Sequence, residues 1–112
     1  MEAIARVKNL RGSARKARLV LDLIRGKKVP EAQNILLFSK KRVAVYIAKL
    51  LNSAVANAQQ KDNKVDTGDM VVNKVFADDG PIMRRHRPRA HGRATIIRRR
   101  TCHITLELSE KE

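Results

Sequence analysis

The chain of 112 residues is strongly basic and poor in aromatic residues, with 25 lysines and arginines against 11 acids and a formal net charge of +14 at pH 7. A chain of this size forms one small domain with a modest core, and its single cysteine excludes an intrachain disulfide. No apolar run approaches the roughly 18 residues of a membrane span, so we expect no membrane partner and a cytoplasmic protein, or an organellar one after removal of a transit peptide.

A short strand and a basic helix are predicted in the N-terminal part of the chain. Residues 3–8 alternate loosely and predict an edge strand, which residues 9–12 should end. Ser13 is a suitable N-cap for a helix over residues 14–25, and Gly26 follows where a left-handed residue commonly ends a helix. The apolar face of this helix consists of Ala17, Val20, Leu21 and Ile24.

Two further helices are predicted downstream. Pro30 suits the first position of a short helix that ends at Phe38, because a proline needs no N–H there. Ser39 predicts the start of a third and longest helix, which runs to about Lys61. Its broad apolar stripe makes it the spine of the core. The stripe consists of Val43, Ile47, Leu50, Ala54 and Ala58.

Two strands joined by a long hairpin are predicted in the C-terminal half, after a turn-rich loop over residues 62–69. Residues 70–77 are rich in valine, and residues 101–108 alternate, with Cys102 on the predicted buried side. The two runs are nearly symmetric about Arg89, so their antiparallel pairing predicts a hairpin with its tip near residues 88–92. Each arm of about eleven residues would be about 35 Å long. The globular part is only about 30 Å across, so the hairpin should protrude.

Two basic surfaces indicate a nucleic-acid partner. No acidic residue occurs between Gly80 and Leu106, so the arginines of the hairpin need an acid that another molecule supplies. Arginine suits phosphate because its planar fork donates two parallel hydrogen bonds. The hairpin carries eight arginines: Arg84, Arg85, Arg87, Arg89, Arg93, Arg98, Arg99 and Arg100. The second surface, which we call the N-terminal patch, consists of Arg11, Ser13, Arg15, Lys16, Arg18, Arg25, Lys27 and Lys28.

Other classes of function receive less support. Three aromatic residues favour contacts with phosphate and with shape over base stacking. The histidines and Cys102 do not have the spacing of metal ligands, and we find no catalytic constellation, so no metal, cofactor or enzymatic activity is expected. A solvated basic tail and a membrane-surface arm are disfavoured. The alternative that remains is a DNA-bending architectural protein with basic β-arms, a class that is usually dimeric.

Several blocks of the chain resemble one protein family. They are residues 11–20 with 22–27, residues 53–58, Asp79-Gly80-Pro81, Met83-Arg84-Arg85, Pro88-Arg89-Ala90, Gly92-Arg93-Ala94, and Arg99-Arg100-Thr101 with His103-Ile104-Thr105. The order and spacing of these blocks make coincidence a poor explanation. By these motifs the chain is similar to the large-ribosomal-subunit protein family L-twenty-two.

The resemblance implies an α+β fold in which three helices pack on a small three-stranded antiparallel sheet, with a long protruding basic β-hairpin. We divide the single domain, residues 1–112, into a globular part (residues 1–78 and 101–112) and the arm (residues 79–100). The implied function is structural: the protein binds large-subunit ribosomal RNA, braces several RNA domains during assembly, contacts neighbouring ribosomal proteins and is a monomer within the ribosome.

The resemblance also implies a role for the arm in the nascent-peptide exit tunnel. The segment from Met83 to Arg85 would lie near the tunnel constriction and influence the response to macrolides, while Arg98 to Arg100 would clamp RNA along the return strand. The nascent peptide would then be a further partner. The tunnel-facing tip would consist of Met83, Arg84, Arg85, His86, Arg87, Pro88, Arg89, Ala90, His91, Gly92 and Arg93.

Overall fold

The computed structural model describes residues 2–64, 66–88 and 94–110, and for residues 83, 85–88 and 94–98 it describes the backbone alone. The elements are β1 (Glu2–Arg11), α1 (Ala14–Ile24), α2 (Val29–Phe38), α3 (Val43–Lys61), a 3-10 turn (Thr67–Asp69), β2 (Met70–Asp79), β3 (Met83–Pro88), β4 (Ala94–Arg99) and β5 (Thr101–Glu110).

The helices pack on a three-stranded antiparallel sheet with the strand order β1-β5-β2, while β3 and β4 form a separate two-stranded ribbon. The molecule measures 65 × 25 × 17 Å along its principal axes, as expected if the ribbon protrudes from the globular part. The predicted α+β fold is therefore confirmed. The central strand is β5, which pairs with β1 from the start of the chain and with β2 from its second half, so the sheet depends on long-range pairing.

The core consists of the apolar faces that the periodicity of the sequence predicts. The predicted side of α1 is fully buried, and so are the inward residues of β5. Alanines fill much of the space between helices and sheet; Ala14, Ala17, Ala54 and Ala58 are 0% exposed, which lets the backbones approach closely. None of the three aromatic residues belongs to this core, since Phe38, Tyr46 and Phe76 are 80%, 40% and 45% exposed.

Helix α1 begins and ends as the sequence predicts. The Ser13 hydroxyl accepts a hydrogen bond from the backbone N–H of Lys16 at 3.3 Å, so Ser13 is the N-cap. Gly26 has a φ of +79°, in the left-handed region that favours glycine. Its N–H donates to the Val72 carbonyl at 2.9 Å, and the Val72 N–H donates to Lys27 at 2.9 Å. The end of α1 is thereby attached to β2.

The third helix begins later than predicted. Ser39 was expected to cap it, but Ser39 ends α2, and its hydroxyl accepts from the backbone N–H of Lys41 at 3.3 Å. This local bond holds the chain in a turn, so helical geometry resumes only at Val43. The prediction of the cap at Ser39 is therefore wrong, although the predicted end of the helix at Lys61 is confirmed.

The first strand is longer than predicted because it contains an irregularity instead of ending. Its pairing with β5 shifts register between Val7 and Leu10, and Asn9 adopts a φ of 57°. Asparagine tolerates this left-handed conformation better than most residues. The Asn9 N–H donates to Nδ1 of His103 at 3.0 Å, which gives the displaced amide a partner on the neighbouring strand.

Both outer edges of the sheet are covered by donors from helix side chains. On β2, the Ala77 carbonyl accepts from Nε and Nη2 of Arg18 at 3.1 and 2.8 Å, and the Val75 carbonyl accepts from Nη2 of Arg25 at 2.7 Å. On β1, the Ile4 carbonyl accepts from Nδ2 of Asn57 at 3.0 Å. The Glu2 carbonyl accepts from Nζ of Lys61 at 2.7 Å. Such bonds occupy edge carbonyls that would otherwise be open to another strand.

Candidate nucleic-acid interface

The arm brings arginine residues into direct opposition on two antiparallel strands. The register pairs Arg84 with Arg98, and Met83 with Arg99. Like charges in directly opposed positions destabilise an antiparallel pair, and no carboxylate occurs in this part of the sequence to offset them. Arg84, Arg99 and Arg100 are exposed. The ribbon therefore presents cations to solvent in an arrangement that an anion would stabilise.

The root of the arm is held by three hydrogen bonds. The Gly80 N–H donates to the Thr101 carbonyl at 2.9 Å, and the Thr101 hydroxyl donates to the Pro81 carbonyl at 2.7 Å. The Gly12 N–H donates to the Arg100 carbonyl at 2.9 Å. Thr101 is only 3% exposed. Both strands of the arm are thus fixed to the globular part at the point where they leave it.

This root also joins the two predicted basic surfaces. Arg11 pairs in register with Thr101, next to Arg100, and Ser13 begins α1 immediately after Gly12. Arg11 is exposed, as are Arg15 and Lys16 in the first turns of α1. The N-terminal patch and the return strand of the arm therefore meet at the arm root, which the sequence alone did not indicate.

Three cations of the N-terminal patch have partners within the chain. Arg18 and Arg25 donate to the carbonyls of β2, and Arg25 also forms an ion pair with Asp22 at 2.5 Å. Lys27 lies 3.9 Å from Glu31. All three residues remain exposed enough to contact a ligand. They differ from Arg15 and Lys16 in having structural roles that are independent of any ligand.

Part of the predicted interface lies outside the described residues. Nothing in the structure bears on residues 89–93, which include Arg89, Ala90, His91, Gly92 and Arg93. The backbone alone is described for Met83, Arg85, His86, Arg87, Pro88 and Arg98. Lys28 is exposed in the loop before α2, where it forms an isolated bridge with Val71 of β2.

Cys102 is a core residue with a low tendency to react. It is 1% exposed, and burial raises the pKa of its thiol. The Asp79 carboxylate raises this pKa further, whereas the Arg18 guanidinium lowers it. A protonated, buried thiol is a poor nucleophile and a poor metal ligand. Within the described part of the chain, no cluster of three or more histidine, cysteine, aspartate or glutamate side chains could hold a metal ion.

The structure also reveals a basic cluster that the sequence-based prediction missed. Lys40, Lys41 and Arg42 are exposed in the connection between α2 and α3, and Phe38 precedes them. The signal was available, because no aspartate or glutamate occurs from residue 32 to residue 61. None of the described helices is both long and apolar enough to cross a membrane.

The chain has close similarity to known proteins over its whole length. Residues 5–109 match the family described as Ribosomal protein L22p/L17e. A Large ribosomal subunit protein uL22 of Leptospira biflexa serovar Patoc (strain Patoc 1 / Ames) is 54% identical over 112 residues, which are 100% of this chain and 97% of the relative. The protein of the same name from strain Patoc 1 / Paris is also 54% identical over 112 residues and is covered to 96%.

Proposed function

Because this chain belongs to the L22p/L17e family of ribosomal proteins, we propose that it binds large-subunit ribosomal RNA through the N-terminal patch and the arm. Membership makes it a structural protein of the large ribosomal subunit and not an enzyme, with ribosomal RNA and ribosomal proteins as its partners. Membership of this family also argues against the alternative function, that of a DNA-bending architectural protein. The relatives named above are bacterial, which supports a cytoplasmic ribosome and gives no support to an organellar one.

One observation carries the proposal of RNA binding: the ribbon opposes Arg84 and Arg98 in register, and no carboxylate occurs from residue 80 to residue 106. Arg84 and Arg98 carry like charges in directly opposed positions, and their repulsion destabilises the ribbon in the free protein. Phosphates placed beside the strands remove this repulsion and accept bidentate hydrogen bonds from arginine. Binding to RNA and ordering of the arm are therefore coupled, so that the arm acts as a rigid spacer once it is bound.

The arm root gives this interface a defined direction. Hydrogen bonds from Gly80, Thr101 and Gly12 fix the first residues of both strands, and Arg11 and Arg100 extend the cationic surface onto the globular part. An RNA strand that follows the arm toward its root would therefore continue onto the first turns of α1. We infer that this continuity is how one small protein braces more than one RNA segment during assembly.

The more specific role in the exit tunnel follows from the family resemblance. In this proposal the globular part lies near the tunnel mouth, and residues 79–100 reach through the RNA. Residues 83–93 then face the tunnel, where they contact the nascent peptide and influence the macrolide response. The small residues Ala90 and Gly92 permit close approach of the backbone to RNA or peptide.

The RNA-binding proposal is tested by the salt dependence of binding. Each phosphate contact contributes about 0.7 to 0.9 to the slope of log K against log salt. Arg99→Ala should weaken binding to large-subunit ribosomal RNA and reduce this slope by about one, whatever the RNA sequence. Arg6→Ala is the matched control, because Arg6 is exposed on β1 and lies outside both proposed surfaces. Equal slopes for Arg99→Ala and the unmodified chain would refute phosphate contact at the arm.

The tunnel proposal needs a separate experiment on assembled ribosomes. A photo-crosslinking amino acid at position 86 should crosslink to a stalled nascent peptide of sufficient length, because position 86 lies on β3 of the arm. The same amino acid at position 64, in the exposed loop after α3, is the control. RNA crosslinks from position 86 without any peptide crosslink would support RNA binding and refute the tunnel-facing role.

A further inference from the structure

The connection between α2 and α3 forms a surface, here called the α2–α3 corner, in which three consecutive cations lie between exposed apolar side chains. Phe38, the last residue of α2, is 80% exposed, and Tyr46, in the first turn of α3, is 40% exposed. Lys40, Lys41 and Arg42 lie between them and are exposed. Nζ of Lys49 lies 5.8 Å from the centre of the Tyr46 ring, within the range of a cation–π interaction.

The exposure of Phe38 requires a physical explanation. A phenylalanine in water forfeits the free energy of burial that its ring would gain in a core. Leu37 and Val45, at the same corner, are 74% and 58% exposed. Each of the two aromatic residues therefore has an exposed apolar residue directly before it in the chain. Large apolar side chains left exposed on both sides of one short connection favour an interaction site there.

The charges at the corner determine the chemistry of the partner. The segment from residue 32 to residue 61 contains no carboxylate, and the one acid of the two helices, Glu31, is in the first turn of α2, at the end away from the corner. Among the described side chains, the ion pairs of this protein are Asp22 with Arg25 and Glu31 with Lys27, and neither includes the corner. A partner that covers Phe38 must therefore bring negative charge.

We propose that the α2–α3 corner is a third RNA-binding surface, on which an unpaired base stacks on Phe38 while the flanking phosphates contact Lys40, Lys41 and Arg42. An aromatic ring beside a cluster of cations is the arrangement by which proteins bind single-stranded nucleic acid, because every base has a π face and every nucleotide a phosphate. An acidic protein segment would neutralise the cations, but it has no particular need of an exposed aromatic ring.

This surface differs from the arm in the kind of RNA that it selects. The arm is rich in arginine, and contains no aromatic residue from Gly80 to Arg100, so it contacts phosphate without regard to base pairing. The corner requires a base that is free to leave a helical stack. The expectation that contacts with phosphate and with shape are favoured over base stacking therefore applies to the arm and not to the corner. The proposal rests on the corner's own residues, so it can fail or hold independently of RNA binding by the arm.

The first experiment measures binding of the full-length chain to a short single-stranded RNA of mixed sequence and to the same sequence as a duplex. Phe38→Ala should raise the Kd for the single strand at least about fivefold, the lower limit for loss of one base–aromatic stack, and leave the duplex within about twofold. Phe76→Ala is the matched control, since Phe76 is the other phenylalanine and is 45% exposed on the sheet. Equal effects of the two variants would overturn the proposal.

The second experiment tests the cations with a charge-matched control. The triple variant Lys40→Gln, Lys41→Gln and Arg42→Gln should reduce the slope of log K against log salt for the single strand by up to about two. The control triple Arg6→Gln, Lys8→Gln and Lys64→Gln removes the same charges from exposed positions elsewhere. If the control reduces the slope as much, the effect comes from net charge and the corner is not a site.

The third experiment locates the contact directly. Ultraviolet crosslinking of the full-length chain to large-subunit ribosomal RNA, followed by mass spectrometry, should yield a nucleotide attached to the peptide that contains Phe38. This crosslink should persist in the Arg99→Ala variant, so loss of arm binding is distinguishable from loss of corner binding. Crosslinks confined to the arm and the N-terminal patch would refute the proposal. In assembled subunits, a residue 38 that crosslinks to a protein and not to RNA would refute it as well.

Discussion

The arm root offers the most specific test of how the sequence determines the structure, through the single substitution Gly80→Ala. A Cβ at this position would lie 2.5 Å from Oγ1 of Thr101, 3.2 Å from Cε1 of His103 and 3.3 Å from the carbonyl carbon of Thr101. The φ of Gly80 is not in the left-handed region, so backbone strain is not the obstacle. The obstacle is the Thr101 hydroxyl, which is held in place by its hydrogen bond to Pro81.

The expected cost follows from that hydrogen bond. To admit the methyl group, Thr101 must rotate away from the Pro81 carbonyl, and a buried hydroxyl that loses its partner costs about 2 kcal/mol. Alanine restricts the unfolded chain relative to glycine, which offsets about 0.5 kcal/mol. Gly80→Ala should therefore reduce the free energy of unfolding by about 1.5 kcal/mol.

Denaturation of the single and double variants with guanidinium chloride provides the measurement. In the Thr101→Ala background the obstructing oxygen is absent, so Gly80→Ala should change the free energy of unfolding by less than about 0.5 kcal/mol. In the Thr101→Val background a methyl group replaces the oxygen, and Gly80→Ala should again cost about 1 to 3 kcal/mol. The same cost in the native and Thr101→Ala backgrounds would refute the reasoning, because the obstruction would then not be Oγ1.

Two further predictions concern the sheet. Arg18→Ala removes both donors to the Ala77 carbonyl and should lower the free energy of unfolding, measured by chemical denaturation, by about 1 to 2 kcal/mol. The control Arg15→Ala removes the same charge from an exposed position of α1 and should lower it by less than about 0.5 kcal/mol. Equal losses in the two variants would contradict the structural role of Arg18. The second concerns Glu107, which is 9% exposed on β5. A hydrogen bond to the Glu2 carboxyl raises the pKa of Glu107 above its usual value of 4.5, with burial and the Glu2 charge acting in the same direction and Lys74 lowering it. Because the folded-state pKa is raised, this pair stabilises the fold at low pH, and the stability is lost as pH rises from about 4 through the raised pKa. Glu107→Gln should therefore raise the Tm at about pH 7 and leave it nearly unchanged at about pH 4, and a gain of equal size at both values would contradict the assignment.

The sequence predicted the buried faces well because burial follows a local repeat. In α1 the spacing of Val20, Leu21 and Ile24 was sufficient to identify the inward side, and in β5 the alternation through Ile104 and Leu106 did the same. The cap at Ser13 and the left-handed Gly26 were equally predictable, since both depend on the chemistry of one residue at a helix end. Ser39 shows the limit of this reasoning, because the same hydroxyl chemistry can end one helix as well as begin another.

The candidate interface was predictable in composition but not in arrangement. Counting acids and arginines was enough to identify the arm, because charge is a property of composition. It could not distinguish Arg15, which is exposed on α1, from Arg18, which donates to the Ala77 carbonyl. Nor did it assign a role to Phe38, because an aromatic residue in an apolar segment is normally expected in the core.

By itself, the sequence determined the charge of this protein and the faces that its helices and strands bury. These depend on residues close together in the chain and on simple periodicities. The tertiary structure decided which cations donate to the sheet, which atom opposes a side chain at position 80, and where the N-terminal patch meets the arm. Those features depend on pairs such as Arg18 with Ala77 and Gly80 with Thr101, whose partners become neighbours only when the central strand brings distant segments together.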